Sequence, residues 1–234
     1  MKQPSRKNSP QRNAAAGATW DNVLPSRIAQ HELKREALLR AAMAAFQRQG
    51  FHETSLDEIA QRLGVTRAAL YYYFQSKNAL LVACFDRAMQ LARDSLAQAR
   101  REGENGREKL ILFFRRYLAI ATDELGESLL LTEENALEEE DRLRLIEERD
   151  KLERELRALV KEGVRDGSIV PCDPKLAVFV MLGAVNWVPK WFSRKGSWTN
   201  LQVAQAVAEM LDRMVSTAAQ PKLTEDIRKV RVDS

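Results

Sequence analysis

Apolar side chains recur every three or four positions along most of this chain, and that spacing predicts helix after helix. Leu38, Leu39, Ala42, Ala45 and Phe46 stripe a first helix over 27–49, which Gly50 and Phe51 end. Leu56, Ile59, Ala60 and Leu63 stripe a short helix opened by Ser55, with Glu58 three positions on in a capping-box arrangement. Gly64 adopts positive φ at low cost and closes that helix, and Thr66 can cap the next one, where Leu70 and Phe74 point inward. Ser76 opens a long helix to about residue 101, lined by Leu80, Leu81, Phe85, Ala88, Met89 and Ala92.

The pattern continues beyond a break at 103–106. Leu110, Phe113, Phe114, Tyr117, Leu118 and Ala121 give an aromatic face to a helix over 107–125, and a short helix is expected over 127–137. Leu145, Ile146, Leu152, Leu156, Leu159 and Val160 stripe a helix over 141–166, with Glu147–Lys151 and Glu153–Arg157 as four-residue charge pairs on its wet side. Asp173 and Pro174 form a cap followed by proline, opening a helix to about residue 193. That helix is apolar over much of its circumference, so it needs cover on more than one side, and Pro189 should kink it. A last helix over 199–218 carries Leu201, Val203, Ala204, Val207, Ala208, Leu211, Met214 and Val215. Alternating Val, Ile and Thr runs bounded by turns are missing, so the expected fold class is all-α. The two apolar C-terminal helices either close the monomer core or pair with a second copy as a four-helix dimer interface.

Helix, glycine-containing turn, helix over 54–77 is the arrangement of proteins that read the DNA major groove. In that geometry the first helix braces the second, whose N-terminal side chains meet base edges and whose first-turn amides favour phosphate. Arg67 can reach guanine acceptors, Thr66 can both cap and touch phosphate, and Tyr71, Tyr72 and Tyr73 offer a ring for a thymine methyl and a hydroxyl for phosphate. A buried helical hairpin with core tyrosines is the alternative, but Arg67, Tyr72 and Lys77 would be awkward to bury.

Residues 35–85 resemble the DNA-binding domain of the tetracycline-repressor (TetR) family. The resemblance is carried by Ala41, Ala42, Phe46, Gly50, Phe51, Thr54, Ile59, Ala60, Gly64 and Val65, and then by Leu70, Tyr71, Tyr73, Phe74, Ser76, Lys77 and Leu80. It implies an all-α homodimer: an N-terminal three-helix helix-turn-helix domain and a C-terminal helical domain for effector binding and dimerisation. The implied division is a basic arm over 1–25, a DNA-binding domain over 26–75, an effector and dimerisation domain over 76–219 and a tail over 220–234. By position, Ser55, Thr66, Tyr71, Tyr73 and Lys77 resemble phosphate-contact residues and Arg67 a base-reading one. Ala69 stands where small polar residues are common, so it could touch only a thymine methyl. The family's partners would be a palindromic double-stranded operator and a small-molecule effector.

A second, shorter likeness lies at 183–196. With Asn186 and Trp187 it resembles the penultimate helix of TetR regulators that sense coenzyme A thioesters. That likeness implies an acyl-CoA effector, its acyl part among Phe113, Phe114, Tyr117 and Trp187, and its phosphates facing Lys190, Arg194 and Lys195. The alternative is that Trp187 and Trp191 are interface aromatics and the cations are solvated.

Composition agrees with a helical globular protein: 234 residues, 45% hydrophobic and 30% charged, with 10 Gly and 7 Pro. The net charge of +4 is unevenly spread. Lys and Arg outnumber Asp and Glu in the first 48 residues, whereas 123–141 holds acids and no Lys or Arg. The stretch over 1–25 reads as mostly disordered; Lys2, Arg6, Lys7 and Arg12 either form an arm reaching DNA or a tail doing nothing specific. Cys84 and Cys172 lack a pairing pattern and fit a reducing compartment. His31 and His52 lack metal-ligand spacing, and no Gly-rich phosphate loop or nucleophile elbow occurs, so neither metal, cofactor nor catalysis is expected. No segment resembles an export signal, and the most apolar stretch, 176–188, is too short to span about 30 Å of hydrocarbon. The expected location is the cytoplasm. The expected function is a ligand-responsive transcriptional regulator, most simply a repressor. An architectural DNA-binding protein without effector, or a helical adaptor or enzyme, are the rival readings.

Overall fold

The computed structural model describes residues 26–122 and 134–217. The basic arm, the tail, the end of the predicted 107–125 helix and most of the predicted 127–137 helix lie outside the described residues. Two compact units divide the chain, residues 1–36 and 37–234. The first contributes Ser26 to Glu36, where the Ser26 hydroxyl accepts from the Ala29 amide at 3.1 Å and opens a helix.

Among the described residues eight α-helices run in order: α1 (Arg27–Glu53), α2 (Leu56–Arg62), α3 (Arg67–Tyr73), α4 (Lys77–Glu102), α5 (Gly106–Ala121), α6 (Glu139–Asp166), α7 (Pro174–Trp191) and α8 (Asn200–Val215). A 3₁₀ turn at Glu134–Ala136 precedes α6. Among the described residues the extended structure is one isolated bridge, Ile169 to Ser216. Ser55, Thr66, Ser76 and Asp173 cap helices as the sequence predicts, and Asn105 and Thr199 add two further caps. Ser55, Thr66, Ser76, Asn105 and Thr199 each accept from an amide in the first turn of the helix they precede. Asp173 does so twice, ahead of Pro174. α1 has helical geometry to Gln49 and is broken at Gly50, whose φ of 81° few other residues tolerate.

Two apolar cores form. One joins Leu38, Leu39, Ala42, Phe46, Ile59 and Leu70 of the first three helices to Leu80, Leu81, Phe85 and Met89 of α4 and Leu145 of α6. The other joins Leu96 and Ala99 of α4 to Phe113, Phe114 and Leu118 of α5, with Leu156, Val178, Met181, Val203 and Leu211 from α6, α7 and α8. Phe113 and Phe114 are fully buried, each stabilising by about 1.5–3 kcal/mol. Helix α5 is the centre of the second core and packs against α4, α6, α7 and α8.

Helix α7 meets three environments at once, which explains its apolar circumference. Val178, Met181, Val185 and Val188 face the core. Leu176, Val180, Trp187 and Trp191 are exposed along the outer side. Lys175, Phe179, Leu182 and Asn186, again at helical spacing, line a cavity. Pro189 does not end the helix, which runs two residues further to Trp191. Ile146, expected in the buried stripe of α6, is 39% exposed, and on α8 Leu201 and Met214 are 66% and 37% exposed.

The N-terminus of α5 crosses α6 backbone to backbone. A Cβ on Gly106 would lie 2.1 Å from the Gly163 nitrogen and 2.6 Å from its Cα, so position 106 has no room for a side chain, whereas a Cβ on Gly163 would point at the Ile169 side chain, 2.6 Å away. The crossing is fastened by the Gly106 amide donating to Asp166 at 2.9 Å and the Arg107 amide donating to the Ser168 hydroxyl at 3.2 Å. Arg107 also clamps Asp212 of α8 with two hydrogen bonds, at 2.6 and 2.5 Å. Gly106→Ala is therefore expected to cost about 1–3 kcal/mol through overpacking, read as a drop of several degrees in the thermal midpoint by circular dichroism.

Candidate functional site

Helices α2 and α3 are each seven residues long and meet through a tight turn. Gly64 has φ of 63°, and the Gly64 and Val65 amides donate back to Gln61 and Ala60 at 3.1 and 3.0 Å. The Ser55 hydroxyl accepts from the Glu58 amide at 3.0 Å. The Glu58 carboxylate accepts from Gln49 at 2.5 Å and from Arg62 at 2.8 Å, which ties α2 to α1. Those donors, Gln49 first, hold the Glu58 carboxyl below its ordinary range.

Leu70 and Phe74 are buried, which fixes the opposite face of α3 toward solvent. Thr66, Arg67, Ala69, Tyr71 and Tyr72 are exposed, and so is Ser55 at the start of α2. Tyr72 is 75% exposed, whereas Tyr73 is half-buried and meets its ring edge-on at 5.2 Å. Arg67 bridges the turn: it donates to Asp57 of α2 at 3.0 Å and to the Tyr71 hydroxyl at 3.3 Å. The structure thus gathers seven of the eight predicted DNA-contact residues on α3 and the capped end of α2.

Lys77 departs from the expected pattern. Its ammonium donates to the carbonyls of Phe51, His52 and Thr54 at 2.8, 3.1 and 3.0 Å and lies 4.4 Å from the Phe51 ring centroid. All three donors are occupied by the junction between α1 and α2, so the side chain braces that junction instead of reaching outward. The ring stack below it adds a cation–π contact.

A cavity of about 530 Å³ opens between α4, α5, α6 and α7. Phe85, Ala88, Met89, Leu91 and Ala92 of α4 form one wall, Tyr117, Ile120 and Ala121 of α5 another, and Leu145 and Leu152 of α6 a third. The cavity meets both apolar cores, because Phe85, Met89 and Leu145 belong to the first and Tyr117 and Leu182 pack on the second. Burial pushes the Tyr117 phenol up to about 12, against a smaller opposing pull from Arg149.

Of the six predicted effector residues, Tyr117 lines this cavity. Phe113 and Phe114 are buried in the second core behind it, Phe113 stacked on Tyr117 at 5.6 Å. Trp187 is 64% exposed on the outer side of α7, and Lys190 and Arg194 are exposed beyond the cavity lining. The Glu153–Arg157 pair, expected on the wet side of α6, instead faces the cavity: Glu153 is 8% exposed and takes both hydrogen bonds from Arg157. Charge pairing at four-residue spacing is the same on either face of a helix, so spacing could not reveal this. The one available signal was that Leu152 and Leu156 flank Glu153 in the apolar stripe.

Residues 103–215 match the family described as tetracyclin repressor-like, C-terminal domain, and residues 38–84 match the bacterial regulatory proteins of the tetR family. The chain is 31% identical over 160 residues to the HTH-type transcriptional regulator RutR of Escherichia coli K12, spanning 63% of this chain and 70% of that one. The chain belongs to the TetR family. This makes the molecule a DNA-binding transcriptional regulator and not an enzyme. Among solved structures it is similar to the TetR-family regulator PfmR of Thermus thermophilus, with a TM-score of 0.67 at 29% identity over 75% of this chain and 97% of that one. It is also similar to AibR solved with isovaleryl coenzyme A and operator DNA, with a TM-score of 0.65 at 28% identity over 76% and 97% of the two chains. Among the described residues no helix is long and apolar enough to cross a membrane, and no group of three His, Cys, Asp or Glu side chains is placed to hold a metal ion.

Lys77→Met is expected to lower the thermal midpoint, because it leaves the part-buried carbonyls of Phe51 and Thr54 without their donor, at about 1–3 kcal/mol in total. Arg67→Ala removes an exposed ion pair and should leave the midpoint within about a degree or two of wild type. Parallel thermal melts check both.

Proposed function

We propose that this protein is a dimeric repressor that leaves its operator when a small molecule, of the acyl-coenzyme A class, fills the α4–α7 cavity. The observation that carries this reading is the cavity's position. Five of its lining residues lie on α4, and the N-terminal half of α4 is part of the core that holds α1, α2 and α3. A ligand that prefers a different placement of α4 would lower operator affinity by its differential binding to the two states. The cavity's size suits an acyl chain and its linker, with the remainder of a coenzyme outside. The similarity to AibR, solved with isovaleryl coenzyme A and operator DNA, favours this ligand class over others.

In this reading residues 26–75 bind DNA and 76–219 bind the effector and a second copy. Helix α3 enters the major groove, Arg67 turns from Asp57 to a guanine edge, and Ala69 rests on a thymine methyl. Ser55, Thr66 and the hydroxyls of Tyr71, Tyr72 and Tyr73 take phosphates. Lys77 contributes indirectly, by holding the α1–α2 junction against the start of α4. The row Leu176, Val180, Trp187 and Trp191 of α7, with Leu201, Met210 and Met214 of α8, is an exposed apolar surface that a second copy would cover. Gly183, in the same row, has open space at its Cβ and lets a partner helix approach. Pairing would set two α3 helices about 34 Å apart, one turn of duplex.

A competition gel shift on DNA from beside the protein's own gene tests the function. Arg67→Ala should lose discrimination at one base pair by about 1–3 kcal/mol while keeping non-specific binding; equal loss on every sequence would refute base reading by Arg67. Acyl-coenzyme A esters should release the complex, and their failure beside release by an unrelated compound would reassign the effector. Tight DNA binding that no ligand changes would make the molecule architectural. Sedimentation should give a dimer, and Trp187→Glu with Trp191→Glu should give a folded monomer; a dimer that survives both changes would place the interface elsewhere.

A further inference from the structure

The predicted basic residues Lys190 and Arg194 lie outside the cavity lining, but a different set of cations is built into its wall. Arg149 and Arg157 of α6 and Lys175 of α7 line the cavity, against two carboxylates, Asp150 and Glu153. The Glu153 carboxylate is already paired with Arg157. No carboxylate among the described residues pairs with Lys175. Its ammonium lies 5.8 Å from the Phe179 ring centroid, and the Arg157 guanidinium carbon lies 5.9 Å from the same ring. Phe179 is 49% exposed, so both cations approach one partly exposed aromatic side chain of the lining. Elsewhere in the lining, the side chains of Phe85, Met89, Ile120, Leu145 and Leu152 offer only apolar contact.

We propose that the cavity binds an amphipathic anion, with an aliphatic chain against α4 and α5 and its anionic head at Phe179 between Lys175 and Arg157. Two sources share this chemistry, a free carboxylate and the phosphates of an acyl coenzyme, and both use the same subsite. Paired to Glu153, the Arg157 guanidinium keeps N–H groups for a second anion, and the Lys175 ammonium keeps all of its own. Tyr117 supplies a hydroxyl within the apolar part, where no described residue hydrogen-bonds it; being protonated at any working pH, it can donate to a carbonyl on the chain. The proposal rests on the reading of this cavity as the effector site.

Binding to the DNA-free protein is measured by titration calorimetry with dodecanoate, dodecanoyl-coenzyme A, 1-dodecanol and coenzyme A alone. At least one of the two anionic dodecyl ligands should bind about tenfold or more tightly than dodecanol. Lys175→Glu should abolish most of that preference and leave dodecanol unchanged, and Lys175→Met should fall between. A preference for dodecanoate, or for its coenzyme A ester, supports the subsite and identifies the head. Dodecanol binding as tightly as both anions, an undiminished preference in Lys175→Glu, coenzyme A binding as well as its ester, or no binding by any of the four overturns it. Binding without operator release would refute the effector reading and leave the subsite standing. Release by the ester with an unchanged Lys175→Glu variant would do the reverse.

Discussion

Helix α4 is buried in two separate apolar cores, and most of the molecule's organisation follows from that. Its first three turns complete the DNA-binding helices through Leu80, Leu81 and Phe85, and its last turns join α5 through Leu96 and Ala99. A continuous α-helix transmits displacement along its axis with little loss, because each turn is hydrogen-bonded to the next. Neither core can therefore shift without disturbing a rod that the other core also holds. The cavity lies beside the turns between them, where Ala88, Leu91 and Ala92 leave space that larger side chains would fill.

The attachment of α4 to the reading helices is polar as well as apolar. Lys77 occupies the first position of the helix and gathers carbonyls from the end of α1 and the start of the α2 segment. At the far side, ion pairs Arg93–Glu148, Arg144–Asp86 and Arg100–Glu155 join α4 to α6. Each is part-exposed and contributes about 1 kcal/mol or less, so they set register more than stability.

Helix order, caps and the helix-turn-helix were legible in the sequence because local chemistry determines them. Ser55, Gly64, Thr66, Ser76 and Asp173 act through bonds to residues two to four positions away, and spacing alone reveals such bonds. The cavity was not legible in the same way. Tyr117 was visible in an aromatic stripe and Asn186 as a polar handle on an apolar helix, but which face of α6 met α7 depended on long-range packing. Glu153 and Arg157 consequently read as a solvent pair, and Lys190 and Arg194 as the cations near a ligand. The bracing by Lys77 was hidden for a related reason: its partners are carbonyls more than twenty positions earlier, and backbone acceptors leave no trace in side-chain sequence.

The glycine crossing of α5 and α6 gives the second core a fulcrum. With no side chain on Gly106, the α5 backbone touches that of α6 at Gly163. Leu145, packed in the core of the reading helices, lies 18 residues back along α6, a lever arm of about 27 Å. Tilting α6 by roughly 5° about the crossing swings Leu145 through about 2 Å, while residues beside the glycines hardly move. A tilt about this crossing would thus be magnified toward the reading helices, and the side chain missing at Gly106 places the pivot.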